Sequence, residues 1–138
     1  SLPQSDSLGH PLRSQADFEG FVWPRGIKTR LKIEQERFEE RQGAPLVIQA
    51  PSGCGSSHLL HAFVRDSISD GNEAALLDAR TMTEAKWNLI KSRIATLHLV
   101  ALDHGDELLG RDEAWMGDLW RALNARLERR SRTLISLK

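Results

Sequence analysis

The chain has 138 residues, 40% of them hydrophobic, which is enough for one globular domain with a sizeable core. Its 19 basic and 19 acidic residues give zero net charge, which argues against binding nucleic acid or membranes through bulk charge. A single cysteine excludes an internal disulfide, and neither a membrane-span-length apolar run nor a signal-peptide pattern is present. These features predict a cytoplasmic protein.

The order of the elements predicts an α/β fold. Residues 1–17 are rich in Ser, Pro, Gly and Gln and are expected to form a flexible N-terminal tail, with the domain over 18–138. Alternating strands and helices indicate a mainly parallel sheet with helices on both faces. The predicted segments are helix 27–42, strand 46–50, helix 56–69, strand 74–78, helix 82–92, strand 97–102, helix 113–130 and strand 133–137.

A glycine-containing turn between the first strand and its helix has the layout of a phosphate-binding P-loop. The full motif is G-x-x-x-x-G-K-[ST], and here Ala50 stands for the first glycine and Ser56 for the lysine, while Gly55 and Ser57 remain. The backbone N–H groups of such a loop and the following helix N-terminus favour an anion. The alternative is a strand–turn–helix that binds nothing.

A second landmark is the apolar run that ends in Asp103 and His104. In P-loop proteins an acid at the C-terminal end of a strand holds magnesium, so Asp103 is expected to share one ion with Ser57. ATP-hydrolysing relatives usually have a second acid directly after this aspartate, where this chain has His104. The alternative for Asp103 is that it caps the turn that follows it.

Four segments, in order and at family spacing, resemble the AAA+ domain of the DnaA/Hda group of bacterial replication-initiation proteins. They are Asp17–Gly26, Pro51–Ala62 with its "HLLHA", Leu99–Gly110, and Trp120–Leu127 together with the strand Arg132–Ser136 that leads to sensor 1. The resemblance implies a three-layer αβα P-loop base without the helical lid. It also implies that the fifth strand, the arginine finger and the helix-turn-helix are lacking.

The resemblance also implies a site for ATP or ADP with magnesium, weakened or lost because the lysine is missing. The residues expected at the nucleotide are Phe21, Val22, Ser52, Gly53, Cys54, Gly55, Ser56, Ser57 and His58, with Ser57 and Asp103 at the metal. No catalytic residue is assigned. The expected function is that of a regulatory or adaptor protein acting through protein–protein contacts, and the alternative is an active ATP-hydrolysing replication ATPase or helicase loader.

The expected partners are replication proteins, namely a DnaA-type initiator and, as a second candidate, the sliding clamp. The segment Gln4–Leu8 of this chain matches the clamp-binding peptide motif poorly. DNA binding by the chain alone is not expected. The absent fifth strand would leave the strand Leu46–Ile48 at the sheet margin, which predicts a homo-oligomer or another cover. Basic residues near the last helix, among them Arg126, are interpreted as a solvated helix end.

Overall fold

The computed structural model describes residues 3–12, 46–49, 56–109, 111–129 and 131–137. The expected helix 27–42 lies outside these residues. The elements are β1 (Leu46–Gln49), α1 (Ser56–Ser69), β2 (Ala74–Asp78), α2 (Glu84–Ile94), β3 (Leu99–Asp103), α3 (Asp106–Leu109), α4 (Ala114–Glu128) and β4 (Arg132–Leu137).

The boundaries of α2 and β3 differ from the prediction. The helix α2 begins two residues late because Thr83 caps it: its Oγ1 accepts a hydrogen bond from the N–H of Lys86 at 3.2 Å. The strand β3 begins at Leu99 and includes Asp103. The short helix α3, directly after β3, was not predicted.

The four strands form one sheet in the order β1-β4-β3-β2, and every pair is parallel. The predicted α/β class with a parallel sheet is therefore confirmed. Within the described ranges β1 pairs only with β4, which is the position predicted for the P-loop strand. No helical lid is present in this part of the chain.

Two apolar clusters cover the two faces of the sheet and complete three layers. On one face α1 packs Leu60, Phe63 and Val64 against the sheet. On the other face α2 and α4 contribute the larger cluster, which contains Trp87, Ile94, Leu119 and Leu123, among others. Alternate residues of β3 enter opposite clusters, as the period of two in a strand requires.

Arg126 is fully buried, which corrects its interpretation as part of a solvated helix end. Its guanidinium donates to the carbonyls of Ile94 at 2.7 Å and Leu97 at 2.6 Å, to the Thr133 hydroxyl at 3.0 Å, and to the carbonyl of Arg132. Burial lowers its pKa to about 10, so it stays charged at neutral pH. Arg126 thus ties α4 to the end of α2 and the start of β4.

Residues 3–12 are packed against the outer edge of β2, so the expectation of a flexible tail is wrong for this segment. We call residues 3–12 the N-terminal strap. The Asp6 carboxylate is buried and accepts the N–H of Leu76 at 2.8 Å. Ser7 forms two hydrogen bonds with Ala74. The Ser7 N–H donates to the Ala74 carbonyl and the Ser7 Oγ accepts the Ala74 N–H, both at 2.8 Å. Local hydrogen bonds also hold the strap in a defined conformation, because Asp6 Oδ1 accepts the N–H groups of Leu8 and His10.

The helices of the described residues include none that is both long and apolar enough for a membrane span.

Candidate functional site

The carboxyl ends of β2, β3 and β4 bring Asp78, Asp103 and Ser136 to one edge of the sheet. Asp78 and Asp103 are register partners on neighbouring parallel strands. Asp103 is only 4% exposed, and its Oδ1 accepts the hydroxyl of Ser136 at 2.7 Å and the N–H of His104 at 2.9 Å. Its Oδ2 lies 3.4 Å from Nε2 of His104. A buried carboxylate oriented by two donors fits a magnesium ligand, because Mg²⁺ prefers oxygen ligands of fixed geometry.

The turn that follows Asp103 is shaped by His104 and Gly105. His104 has a left-handed backbone with φ of 55°, and its N–H is shared between Asp103 and the Ser136 Oγ at 3.1 Å. The N–H of Gly105 donates to the carbonyl of Ser136 at 2.8 Å. A Cβ on Gly105 would lie 3.0 Å from that carbonyl oxygen and from side-chain carbons of Ile135 and Leu137. The turn can approach β4 this closely because residue 105 has no side chain.

Asp78 and Arg80 are the site residues that sequence reasoning missed. Arg80 donates from Nε and Nη2 to the two carboxylate oxygens of Asp78, at 3.2 and 3.0 Å. Burial alone would raise the pKa of Asp78, but the hydrogen bonds from the Arg80 side chain and N–H hold that pKa below its usual 3.8. The sequence could have indicated Asp78, because it is an acid at the end of the predicted strand 74–78. The carboxyl ends of parallel strands lie at the same edge of the sheet, so this acid was expected near Asp103.

The predicted nucleotide residues are only partly within the described chain. Ser56 begins α1, as predicted, and Ser57 and His58 follow in its first turn, both half-buried. Phe21, Val22, Ser52, Gly53, Cys54 and Gly55 lie outside the described residues. The strand β4 lies between β1, which precedes the predicted P-loop, and β3, which ends in Asp103. The sharing of one ion by Ser57 and Asp103 remains a prediction.

A metal site built from protein side chains alone is not found among the described residues. No three His, Cys, Asp or Glu side chains of this part lie together in a way that could hold an ion. The pair His58 and His61 on α1, three residues apart, therefore has no third such ligand there. Magnesium at Asp103 would need oxygen atoms from a nucleotide or water as well.

Several solved structures have a similar fold, and DnaA is among them. AMPPCP-bound DnaA from Aquifex aeolicus matches with a TM-score of 0.79 and 18% identity over 92% of this chain and 43% of that one. Replication initiator DnaA bound to AMPPCP and single-stranded DNA matches with a TM-score of 0.75 and 17% identity, over 92% and 43%. DnaI matches with a TM-score of 0.69 and 14% identity, over 89% and 72%. No protein-family model and no curated protein sequence matches the chain.

These likenesses establish the fold. The chain has a three-layer α/β architecture similar to that of the DnaA and DnaI structures, with Asp103 at the carboxyl end of its third strand. The particular proteins it resembles in structure are DnaA and DnaI. It spans less than half the length of the two DnaA chains given above.

Proposed function

We propose that this chain is a DnaA/Hda-like regulatory or adaptor protein of bacterial replication initiation, which binds nucleotide weakly or not at all. It acts in the cytoplasm through protein–protein contacts. The proposal combines the fold of DnaA and DnaI with two departures in the sequence, Ser56 at the position of the lysine and His104 at that of the second acid.

The arrangement around Asp103 carries the proposal. Its Oδ1 is already occupied by Ser136 and by the N–H of His104, and the imidazole, at 3.4 Å from Oδ2, stands beside the second oxygen. The residue that follows Asp103 is thus directed at Asp103 itself and supplies no carboxylate for orienting an attacking water. An imidazole can act as a base, but here its nearest described partner is the carboxylate that would hold the metal.

Loss of the lysine acts in the same direction. One charge-assisted contact to phosphate is worth roughly 1.5–3 kcal/mol, so affinity for ATP or ADP should fall about 10- to 100-fold. The proposed nucleotide contacts are the backbone N–H groups from Gly53 to Ser57. Magnesium, when bound with nucleotide between Ser57 and Asp103, would neutralise phosphate charge.

An active ATPase is the second candidate, and the orientation of Asp103 favours it. A buried carboxylate whose Oδ1 is fixed by two donors is held in a defined position, as a metal ligand requires, and a cation at Oδ2 would have to take the place of the His104 imidazole. In that case a partner would have to supply the charges that Ser56 and His104 do not.

The proposed partners are a DnaA-type initiator, the sliding clamp through the N-terminal region, and a second copy of this chain through the edge of β1 with which no described strand pairs. The clamp peptide Gln4–Leu8 lies in the N-terminal strap, where the side chain of Asp6 is buried. Clamp binding through this peptide would therefore require the strap to leave β2.

Nucleotide titration with and without magnesium, together with steady-state phosphate release, tests the proposal. We expect weak binding or none, and no turnover above background. Turnover near 1 per second, a rate common among enzymes, that disappears in Asp103→Ala would favour the ATPase instead.

A further inference from the structure

A groove of about 590 Å³ lies on the side of the molecule where β2 forms the edge of the sheet. One wall is the N-terminal strap, through Leu8, His10 and Pro11, and the opposite wall is α2. Leu76 and Leu77 of β2 contribute to the lining. The volume is within the range of ligand and peptide sites in proteins, roughly 300–1,000 Å³.

The helix α2 contributes one continuous stripe to the groove. Its lining residues are Lys86, Leu89, Ile90 and Arg93, which are spaced i, i+3, i+4 and i+7. That spacing places them on one helical face over roughly 10 Å. The stripe therefore has a cation at each end, with the exposed Leu89 and the largely buried Ile90 between them. Leu89 is 81% exposed and is the one exposed large hydrophobic residue among those whose side chains the structure describes.

The charges at the two ends of the stripe are available to a partner. Lys86 Nζ donates to the carbonyl of Thr81 at 3.0 Å, a neutral group that does not cancel its charge. Arg93 Nη1 donates to the carbonyl of Ser7 at 2.9 Å, and its ion pair with Glu73 is long, at 3.8 Å, and exposed. Exposed pairs of this kind are weak, so an incoming carboxylate can compete for Arg93.

The backbone edge beside the groove is already occupied. Ser7 forms hydrogen bonds with both the N–H and the C=O of Ala74 that point away from the sheet. Asp6 accepts the N–H of Leu76, and the carbonyl of Leu76 lies 3.0 Å from Nδ1 of His10. An extended peptide could not gain strand hydrogen bonds at these residues. A helix satisfies its own backbone and needs only side-chain contacts, so it fits the groove better.

We propose that this groove binds an amphipathic helix of a partner protein, with carboxylates seven residues apart and an apolar pair between them. The carboxylates meet Lys86 and Arg93, and the apolar pair packs on Leu89 and on the small part of Ile90 that is exposed in the groove. The pattern is the charge complement of the α2 stripe, and electrostatic complementarity of this kind sets specificity and register. Asp78 also lines the groove, but Arg80 donates two hydrogen bonds to its carboxylate. Binding of the helix does not require nucleotide at Asp103.

The test uses the full chain and a labelled helical peptide that contains Glu-Ala-Ala-Leu-Leu-Ala-Ala-Glu, with binding followed by fluorescence anisotropy. Lys86→Glu and Leu89→Asp should each weaken binding about fivefold or more, because one reverses an ion pair and the other places a charge in the apolar contact. The peptide with both glutamates replaced by lysine should bind Lys86→Glu better than it binds the unmodified protein.

Lys91→Glu is the matched control, since Lys91 is an exposed lysine of α2 that does not line the groove. This substitution should change the affinity less than about twofold, because salt screens a surface charge that is distant from the peptide. Equal losses in Lys86→Glu and Lys91→Glu would mean that only bulk charge matters and would overturn the proposal. Absence of peptide binding, or binding of a single-stranded oligonucleotide in its place, would also overturn it.

Discussion

The hydroxyl of Ser136 lies 2.7 Å from Oδ1 of Asp103, and both residues are buried at the carboxyl edge of the sheet. This hydroxyl also accepts the N–H of His104, so one side chain of β4 holds the acid that ends β3 and the turn after it. The hydrogen bond therefore fixes one of the two predicted metal ligands.

Ser136→Ala is expected to lower the free energy of unfolding by about 1–3 kcal/mol, because a buried carboxylate and a buried N–H each lose a partner. Urea denaturation measures the change. Ser92→Ala, at an exposed serine of α2, is the control and should shift stability by less than about 0.5 kcal/mol. Equal effects of the two substitutions would contradict the role given to Ser136.

Gly105→Ala and Gly117→Ala should have opposite effects on stability. At Gly105 a new methyl group would meet the Ser136 carbonyl at 3.0 Å, so overpacking should cost about 1–3 kcal/mol. At Gly117, inside α4, it would meet only the end of Arg121 at 3.5 Å, so helix propensity should add about 0.5–1 kcal/mol. Thermal unfolding of both variants gives the signs, and a stabilised Gly105→Ala would refute the close approach of the turn to β4.

Arg126→Met should destabilise the fold by about 3–5 kcal/mol, because several buried carbonyls would lose their donor at once and each costs about 1–3 kcal/mol. Arg121→Met is the matched control on the same helix, since Arg121 is 74% exposed and pairs with the exposed Asp118. A loss of less than about 0.5 kcal/mol is expected for this control. If both variants unfold at the same denaturant concentration, the guanidinium of Arg126 does not hold these elements together.

The strap should contribute most to stability at mildly acidic pH. The hydrogen bond to Asp6 raises the pKa of His10 above 6.5, against burial and the nearby charge of Lys86, so this stabilisation is complete below pH 6.5 and is lost as the pH rises through the raised value. Burial of the Asp6 carboxyl opposes ionisation, but its hydrogen bonds hold its pKa below 3.8, so its contribution is lost only as the pH falls below that value.

The difference in unfolding free energy between the unmodified protein and His10→Gln should therefore shrink between pH 6 and 8.5 or so, on passing the raised pKa of His10. Denaturation curves at several pH values measure it. A difference that is constant over this range would show that the charge of His10 does not support the strap.

Ser56→Lys should tighten nucleotide binding about 10- to 100-fold by restoring one charge-assisted contact to phosphate. Ser56→Met, which adds similar length without charge, separates the charge from the bulk of the new side chain. Isothermal titration with ATP and magnesium gives the affinities. Equal affinities of the Lys and Met variants would mean that no phosphate lies at the start of α1.

The strands and helices could be predicted from the sequence where periodicity and position agree. Helix 56–69 and strand 74–78 have the predicted bounds, and an acid at the end of an apolar run correctly placed Asp103 at the carboxyl edge. Arg126 was misinterpreted because a charge near a helix end is usually solvated, although it lies three residues after Leu123 on the buried face of α4.

The remaining features depend on contacts that a one-dimensional pattern does not contain. Asp6 is ordered by the backbone of Leu76, seventy residues away, and the composition around it is that of a loop. The pairing of Ser136 with Asp103 depends on the strand order, in which β4 inserts beside β3. Nothing in the local sequence around Ser136 indicates its partner.

The way in which Asp6 and Ser7 cap β2 has a consequence for solvent access. An edge strand normally exchanges its outward amide hydrogens rapidly, yet the N–H groups of Ala74 and Leu76 are both bonded to side chains of the strap. Those two amides should therefore exchange with deuterium only when the strap opens, as if β2 lay inside the sheet. Their exchange rates report the strap equilibrium directly, and a partner that displaces residues 3–12 would be seen as a selective loss of protection at these two positions.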